Sequence, residues 1–162
     1  MKESEMYSSI LLSVALGRGD LRHAILARDT ALALAKGAGA SIIHVLTVEN
    51  CDAPAIDHLK PEAGEKVATL IGDQVHREKE RQLNEFAAPL VSEGVKVETH
   101  LEHGNPRDAI LHAVDQLGAD VLVIGSHSKR GVLDVMLGST AHHLSTHASC
   151  PVILVSPEQP KS

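Results

Sequence analysis

The side chains with the clearest chemical use follow a short aliphatic run, Val121 to Ile124, which predicts a buried strand. They are small, hydroxyl-bearing or imidazole residues in a segment punctuated by glycine: Gly125, Ser126, His127, Ser128, Gly138, Ser139 and Thr140. The last three open a predicted helix, and the first N–H groups of a helix have no partner and carry partial positive charge. Such a segment can hold a phosphate group. Capping of the helix by Ser139 or Thr140 is the plain alternative, and one hydroxyl can serve both purposes.

Three further side chains in the same loop could assist an anion. Lys129 and Arg130 could neutralise phosphate charge, the arginine in a bidentate manner, or could form only an exposed basic loop. His127 could donate a hydrogen bond to a phosphate or respond to pH near neutrality. The sequence therefore predicts an anion-binding loop and leaves the roles of these side chains open.

The composition limits the class of protein to which this loop can belong. The 162 residues predict a single domain over 1–162 with a core at about 7–156, and 43% of them are apolar. Tyr7 and Phe86 are the only Phe, Tyr or Trp residues and the net charge is −6, which argues against nucleic-acid binding. No apolar run reaches the roughly 20 residues of a membrane span, and the first residues lack the apolar core of a signal peptide. Two cysteines suit a reducing compartment, so we expect a cytoplasmic protein with no membrane partner.

Aliphatic runs alternate with helical stripes along the chain. Strands are expected at 9–14, 41–48, 95–101, 121–124 and 152–155, and helices at about 20–37, 65–91, 105–118 and 139–147. This alternation predicts right-handed crossovers and an α/β fold, a doubly wound five-stranded parallel sheet of order 3-2-1-4-5 with helices on both faces. In that order the winding reverses between strands 1 and 4, which places a ligand crevice beside the loop after strand 4.

The predicted helices have recognisable ends and buried faces. Asp20 is expected to cap the first helix, which Gly37 and Gly39 close, and Asn105 with Pro106 to begin the third. Three stripes are expected to face the core: Ala24, Arg28, Ala31, Leu32 and Ala35 in the first helix, Val67, Leu70, Ile71, Leu83, Phe86 and Leu90 in the second, and Ile110, Val114 and Leu117 in the third.

Other candidate sites are weaker. His143 and His147 are four residues apart and share a helix face with His142 beside them, but surface or interface histidines are the simpler interpretation. His44, inside an aliphatic strand, is interpreted as a packed, hydrogen-bonded residue. The sequence contains no Walker A motif, nucleophile elbow or paired carboxylates, so no catalytic residue or metal ligand is assigned.

With these motifs laid out, the chain resembles the universal stress protein family along essentially its whole length. ATP-binding members carry two glycines separated by two residues, and nine residues later a glycine followed by serine or threonine. Gly125, Gly138 and Ser139 match this pattern, whereas Ser128 replaces the second glycine. Two further segments also resemble family motifs: Gly104 to Ile110 and Cys150 to Val152.

The resemblance implies an adenine nucleotide alpha hydrolase-like fold that binds ATP, with Mg²⁺, or a related adenine nucleotide. Ala15 stands where ATP-binding members have an aspartate near the adenosine, and Asp20 could supply the lost acceptor or only cap its helix. Val45 would line the adenine pocket or only pack in the core. Ser128 would cost roughly 1–2 kcal/mol if its position needs a positive φ, whereas at negative φ its hydroxyl would add a donor.

Two functions of different class follow from these expectations. The first is a regulatory protein that binds an adenine nucleotide at the loop after strand 4, with slow ATP hydrolysis at most. The alternative, which Ala15 and Ser128 favour, is a nucleotide-free dimeric module of the stress response that has lost the pocket. Both include an unidentified protein partner and a homodimer formed, as the resemblance implies, through the last strand: Val152, Ile153, Leu154 and Val155.

Overall fold

A computed structural model of the chain describes residues 7–17, 19–49, 64–125 and 138–156, with the side chains of residues 64–69 outside that description. Strands and helices alternate along these residues: β1 (Ser9–Ser13), α1 (Leu21–Ala38), β2 (Ile42–Glu49), α2 (Gly64–Ser92), β3 (Val97–His103), α3 (Pro106–Gln116), β4 (Val121–Gly125), α4 (Ser139–His147) and β5 (Val152–Val155). The ends of α4 and β5 are those expected from the sequence. No helix among the described residues is long and apolar enough to cross a membrane.

The strands form one parallel sheet of order β3-β2-β1-β4-β5, which confirms the predicted topology. In the central register, Leu11 of β1 lies opposite His44 of β2 on one side and Leu122 of β4 on the other. Both faces of β1 are covered, and Ile10, Leu11 and Leu12 are fully buried. This is why these strands are continuous aliphatic runs instead of alternating apolar and polar residues.

Helices cover both faces of the sheet, as expected. Alternate residues of the central strands, such as Leu12 and Val123, pack with α1 and α2, while their neighbours Leu11 and Leu122 pack with α3 and α4. Two apolar layers therefore enclose the sheet. The consequence for function is that α1 and α4, which follow the adjacent strands β1 and β4, lie on opposite faces.

Helix α1 packs against the sheet through alanines. Ala24, Ala27, Ala31 and Ala35 are buried, whereas Arg28 is partly buried, donates to the Phe86 carbonyl at 3.1 Å and lies 5.0 Å from that ring. Small side chains allow a helix to approach a sheet closely. The helix ends at Ala38, so Gly37 lies within it, whereas Gly39, the second glycine expected to close the helix, follows it at φ 68° in the left-handed conformation.

Among the described side chains of α2, which begin at Leu70, the buried ones lie in the second half of the helix. Leu83, Phe86 and Leu90 are buried as expected, but Leu70 is 63% and Ile71 46% exposed, so their predicted burial was wrong. A helix of 29 residues is about 43 Å long, whereas the eight residues of β2 span about 26 Å. The first half of α2 therefore extends beyond the sheet that it would pack on. The side chain of Val67 lies outside the described residues.

Helix α3 begins as the sequence predicted. The Asn105 side chain accepts a hydrogen bond from the Arg107 N–H at 2.9 Å, and Pro106 is the first helical residue. Ile110 and Val114 are buried, but the third buried position is Ala113, and Leu117 is a half-buried residue at the C-cap. Four strands also end elsewhere than expected: β1 ends one residue earlier, β2 and β4 one residue later, and β3 two residues later.

Candidate functional site

The carboxyl ends of β1 and β4 are adjacent, and Ser13 pairs with Ile124. From there the chain leads from β1 to α1 on one face and from β4 to α4 on the other. A crevice opens at such a switch point because the two connections diverge. The structure thus brings Ala15, Gly125 and the start of α4 to the same edge of the sheet, where the sequence predicted a ligand.

Ala15 lies two residues beyond β1 and is exposed. The preceding Val14 is fixed by two hydrogen bonds: its N–H donates to the Leu46 carbonyl at 2.9 Å, and its carbonyl accepts from Thr47 Oγ1 at 3.0 Å. The backbone at Ala15 is therefore held at the crevice, but an alanine offers no side-chain acceptor. Its contact with a nucleotide stays a prediction.

Val45 is fully buried in β2, in the cluster that α1 and α2 cover. Packing in the core accounts for this side chain without a ligand. Its predicted place in an adenine pocket stays a prediction that would require neighbouring side chains to move.

Gly125, the last residue of β4, is needed for packing. A Cβ built at this position would lie 3.1 Å from the carbonyl oxygen of His23 and 3.2 Å from the His23 Cβ. The first turn of α1 thus contacts the backbone of β4 at a place where a side chain would fit only if the helix or the strand shifted by a few tenths of an ångström. The close approach of α1 therefore explains why residue 125 is a glycine, in addition to any role of this glycine in admitting a phosphate.

Asp20 occupies the N-cap position of α1, but its side chain forms no capping hydrogen bond. The side-chain capping expected from the sequence was therefore wrong. Its Oδ2 lies 2.8 Å from the point where a Cβ of Gly17 would stand, and its N–H donates to the Gly17 carbonyl at 2.9 Å. The carboxylate faces the loop after β1, which keeps open its second predicted role as an acceptor at the crevice.

The start of α4 is not capped by a side chain. Gly138 is the N-cap residue, with φ −55° and ψ 150°, and its carbonyl accepts from the His142 N–H at 2.9 Å. Ser139 and Thr140 are the first two helical residues, and neither hydroxyl forms a hydrogen bond to a described residue. Capping by these hydroxyls, the alternative considered above, was wrong. No described residue uses these hydroxyls or the first N–H donors of the helix.

The remaining predicted phosphate contacts, Ser126, His127 and Ser128, lie outside the described residues together with Lys129 and Arg130. Their roles stay predictions.

Of the two cysteines, Cys51 also lies outside the described residues, and burial raises the pKa of the Cys150 thiol. A thiol with a raised pKa is mostly protonated at neutral pH, and it is therefore a weak nucleophile.

The histidines divide into two groups. The rings of His143 and His147 stack with centroids 4.1 Å apart on α4, which confirms that they share a helix face. His44 is buried, and its Nδ1 lies 3.0 Å from Nε2 of His100, which confirms the predicted packed and hydrogen-bonded residue. The sequence did not identify His100 or Glu98 as neighbours of His44, because the register of β2 with β3 decides which side chains meet.

The parallel sheet of order 3-2-1-4-5, together with the likeness to solved structures given below, places the chain in the class of adenine nucleotide alpha hydrolase-like folds. The family model described as "Universal stress protein family" matches residues 6–156. The chain therefore belongs to the universal stress protein family.

Two relatives illustrate how far the sequence similarity reaches. The universal stress protein YxiE of Bacillus subtilis is 32% identical over 85 residues, which is 52% of this chain and 57% of that protein. The chain thus matches little more than half the length of that relative. Sll1388 of Synechocystis is 25% identical over 153 residues, covering 92% of this chain and 97% of that protein.

Solved structures with the same fold have lower identity. UspA from Lactobacillus plantarum is 24% identical with a TM-score of 0.65, covering 92% of this chain and 97% of that one. A universal stress protein in complex with cAMP is 20% identical with a TM-score of 0.62, covering 94% and 98%. The Archaeoglobus fulgidus protein in complex with dAMP is 22% identical with a TM-score of 0.58, covering 92% and 98%.

Proposed function

We propose that this protein is a cytoplasmic regulatory protein that binds ATP or a related adenine nucleotide between β1 and β4. The observation that carries the proposal is the start of α4, where Gly138, Ser139 and Thr140 offer backbone and hydroxyl donors that no described side chain uses. It lies at the switch point of the sheet, where α/β proteins bind ligands. Proteins of the same fold in complex with cAMP and dAMP support an adenine nucleotide as the ligand.

In this proposal the adenosine lies near Ala15 and Val45 and the phosphates lie along the loop after β4. The residues that would contact the phosphates are Gly125, Ser126, His127, Ser128, Gly138, Ser139 and Thr140. The partial positive charge at the start of α4 would stabilise the phosphates, and Mg²⁺ would accompany ATP. Since no residue is assigned as a general base, hydrolysis would be slow at most. The bound nucleotide would act by changing a surface that a protein partner contacts.

A homodimer through β5 is part of the proposal. β5 is at the edge of the sheet, pairs with β4, and has four apolar residues that are each only half-buried within the chain. Pairing with a second copy would cover this edge. We expect light scattering at micromolar concentration to give twice the 17.2 kDa mass of one chain, whereas a monomer would contradict the dimer.

A nucleotide-free dimeric module is the second candidate. Two observations favour it: Ala15 provides no acceptor for the adenosine, and Val45 is fully enclosed by the core. Both candidates predict the same dimer, so nucleotide binding is the property that distinguishes them.

Calorimetric titration with Mg-ATP tests the proposal. We expect the ligand-stripped full chain to bind one nucleotide per chain, and Gly138→Val to abolish binding because a branched side chain would stand at the start of α4. Gly72→Val is the matched control, since a Cβ at Gly72 has no heavy atom within 4 Å and the residue lies on α2. Melting temperatures would verify that both variants fold.

Two outcomes would contradict the nucleotide proposal. Unchanged affinity in Gly138→Val would mean that the phosphates do not lie at the start of α4. Absence of heat with the unaltered chain, together with an unchanged melting temperature at millimolar ATP, would favour the nucleotide-free module.

A further inference from the structure

Three side chains that can bind a metal ion converge on neighbouring strands, away from the crevice between β1 and β4. His44 is on β2, and Glu98 and His100 are on β3. In the register, His44 lies opposite Glu98, and His100 is two residues further along β3 on the same face. One ligand atom from each side chain lies within 4.8 Å of the other two.

The face on which they meet is the one that α3 covers. Leu46, two residues from His44 along β2, packs in the layer formed with α3, whereas Val97 and Leu101 of β3 pack in the opposite layer. Because strand residues alternate between faces, Glu98 and His100 point towards the α3 layer. The three ligands are therefore supplied by two adjacent strands of a packed sheet, which fixes their positions better than loops would.

Two of the three distances between the ligand atoms approach that of a tetrahedral metal site, and the third, between His100 and Glu98, is at most 4.8 Å. The Nδ1 of His44 lies 3.0 Å from Nε2 of His100 and 3.6 Å from Oε2 of Glu98. Two atoms that each lie about 2.05 Å from a tetrahedral zinc ion are about 3.3 Å apart. Shifts of a few tenths of an ångström would bring both pairs to that separation.

Burial and charge also suit a divalent cation. His44 is 6% exposed, so little water competes with a metal ion for its imidazole. The Glu98 carboxylate is 48% exposed, which leaves a path from solvent and room for water as a further ligand. The other oxygen of that carboxylate lies 3.6 Å from Lys96 Nζ, so Oε2 remains directed at His44.

We propose that His44, Glu98 and His100 form a binding site for one divalent late transition-metal ion, with zinc as the best match. Two imidazoles and a carboxylate are ligands that zinc accepts, and three protein ligands plus water give it four-fold coordination. The proposal does not rest on nucleotide binding, because the site uses β2 and β3 and none of the residues assigned to the phosphates. In the absence of metal, the two imidazoles are joined by a hydrogen bond.

Calorimetric titration of the EDTA-treated full chain with zinc chloride at neutral pH tests this site. We expect one zinc ion per chain, with affinity reduced at least about ten-fold in His100→Ala and about ten-fold in Glu98→Gln, which retains the side-chain shape. The double variant His143→Ala and His147→Ala is the matched control. His143 is partly buried and His147 exposed, and the two are four residues apart on α4, where they could bind zinc weakly without Glu98.

A second measurement distinguishes loss of the site from loss of the fold. Cobalt(II) in a tetrahedral site gives strong visible absorption, which we expect from the unaltered chain and the double control variant but not from His100→Ala. Circular dichroism would verify that each variant is folded. The proposal is overturned if zinc does not bind, if folded His100→Ala binds it as tightly as the unaltered chain, or if binding is lost in the double control variant.

Discussion

Replacing Gly125 with valine is expected to lower the free energy of unfolding by about 2–3 kcal/mol without any ligand present. The new Cβ would lie 3.1–3.3 Å from three atoms of His23, two of which belong to the backbone of α1. A helix backbone cannot rotate away as a flexible side chain can, so either α1 or the end of β4 must shift. Valine is otherwise favoured in strands, which makes a loss of stability here specific to the contact. Urea denaturation would measure the change.

Gly72→Val controls for the replacement of glycine by valine, because Gly72 lies in a helix and a Cβ there would have no heavy atom within 4 Å. Its effect is expected to be small, since valine has a somewhat higher helix propensity than glycine. Unchanged or raised stability in Gly125→Val would contradict the packing explanation. In that case the absence of a side chain at Gly125 would need the ligand as its reason.

Leu122→Ala is expected to destabilise the protein by about 2–5 kcal/mol. Leu122 is fully buried in β4, with β1 and β5 on either side of it in the sheet and the α3 and α4 layer above it. Neighbours on all sides restrict the collapse of the cavity that the lost side-chain atoms would leave. Denaturant unfolding monitored by circular dichroism would measure the difference.

Leu70→Ala makes the same chemical change at a position that is 63% exposed. Because leucine and alanine both favour helices, the effect is expected to stay within about 0.5 kcal/mol. A loss comparable with that of Leu122→Ala would mean that Leu70 is buried in solution. The first half of α2 would then pack against another part of the protein, as the spacing of Leu70 and Ile71 in the sequence predicts.

The strands and their arrangement in a parallel sheet followed from the sequence because parallel strands covered on both faces are aliphatic throughout. Runs such as Val121 to Ile124 satisfy that condition, and the fully buried residues of β4 show why. The start of α3 followed equally well, since Asn105 and Pro106 act locally and need no tertiary partner. A single sequence therefore reveals local signals, such as a helix cap, and strands that are buried along their whole length.

The wrong predictions depended on three-dimensional packing, which the spacing of residues in the sequence does not specify. The spacing of Leu70 and Ile71 suits a buried helix face, but the length of the neighbouring sheet decides whether anything covers that face. Likewise, Asp20 stands at the right position for a cap, yet its side chain is directed at the loop after β1. In both cases the local pattern was recognised correctly, but the position of another element determined the outcome.

The topology that defines the candidate crevice was predicted correctly, but the contacts within the crevice could not be predicted from the sequence. That the ends of β1 and β4 are adjacent follows from the sheet order. The contact of Gly125 with His23 does not, because it depends on how closely α1 approaches β4. The cluster of His44, Glu98 and His100 depends on register, which a strand pattern leaves undetermined.

The central position of β1 also has a consequence for synthesis and folding of the chain. Ser8 and Asp120, joined by a hydrogen bond at the start of β1, are separated by 112 positions in the sequence. On the ribosome, β1 can pair with β2 early, but its other edge has no strand to join until β4 has been translated. Contacts of such long range slow folding and leave an apolar strand edge available to other chains in the meantime. The strand at the centre of the finished sheet is therefore among the first to be made and among the last to be enclosed.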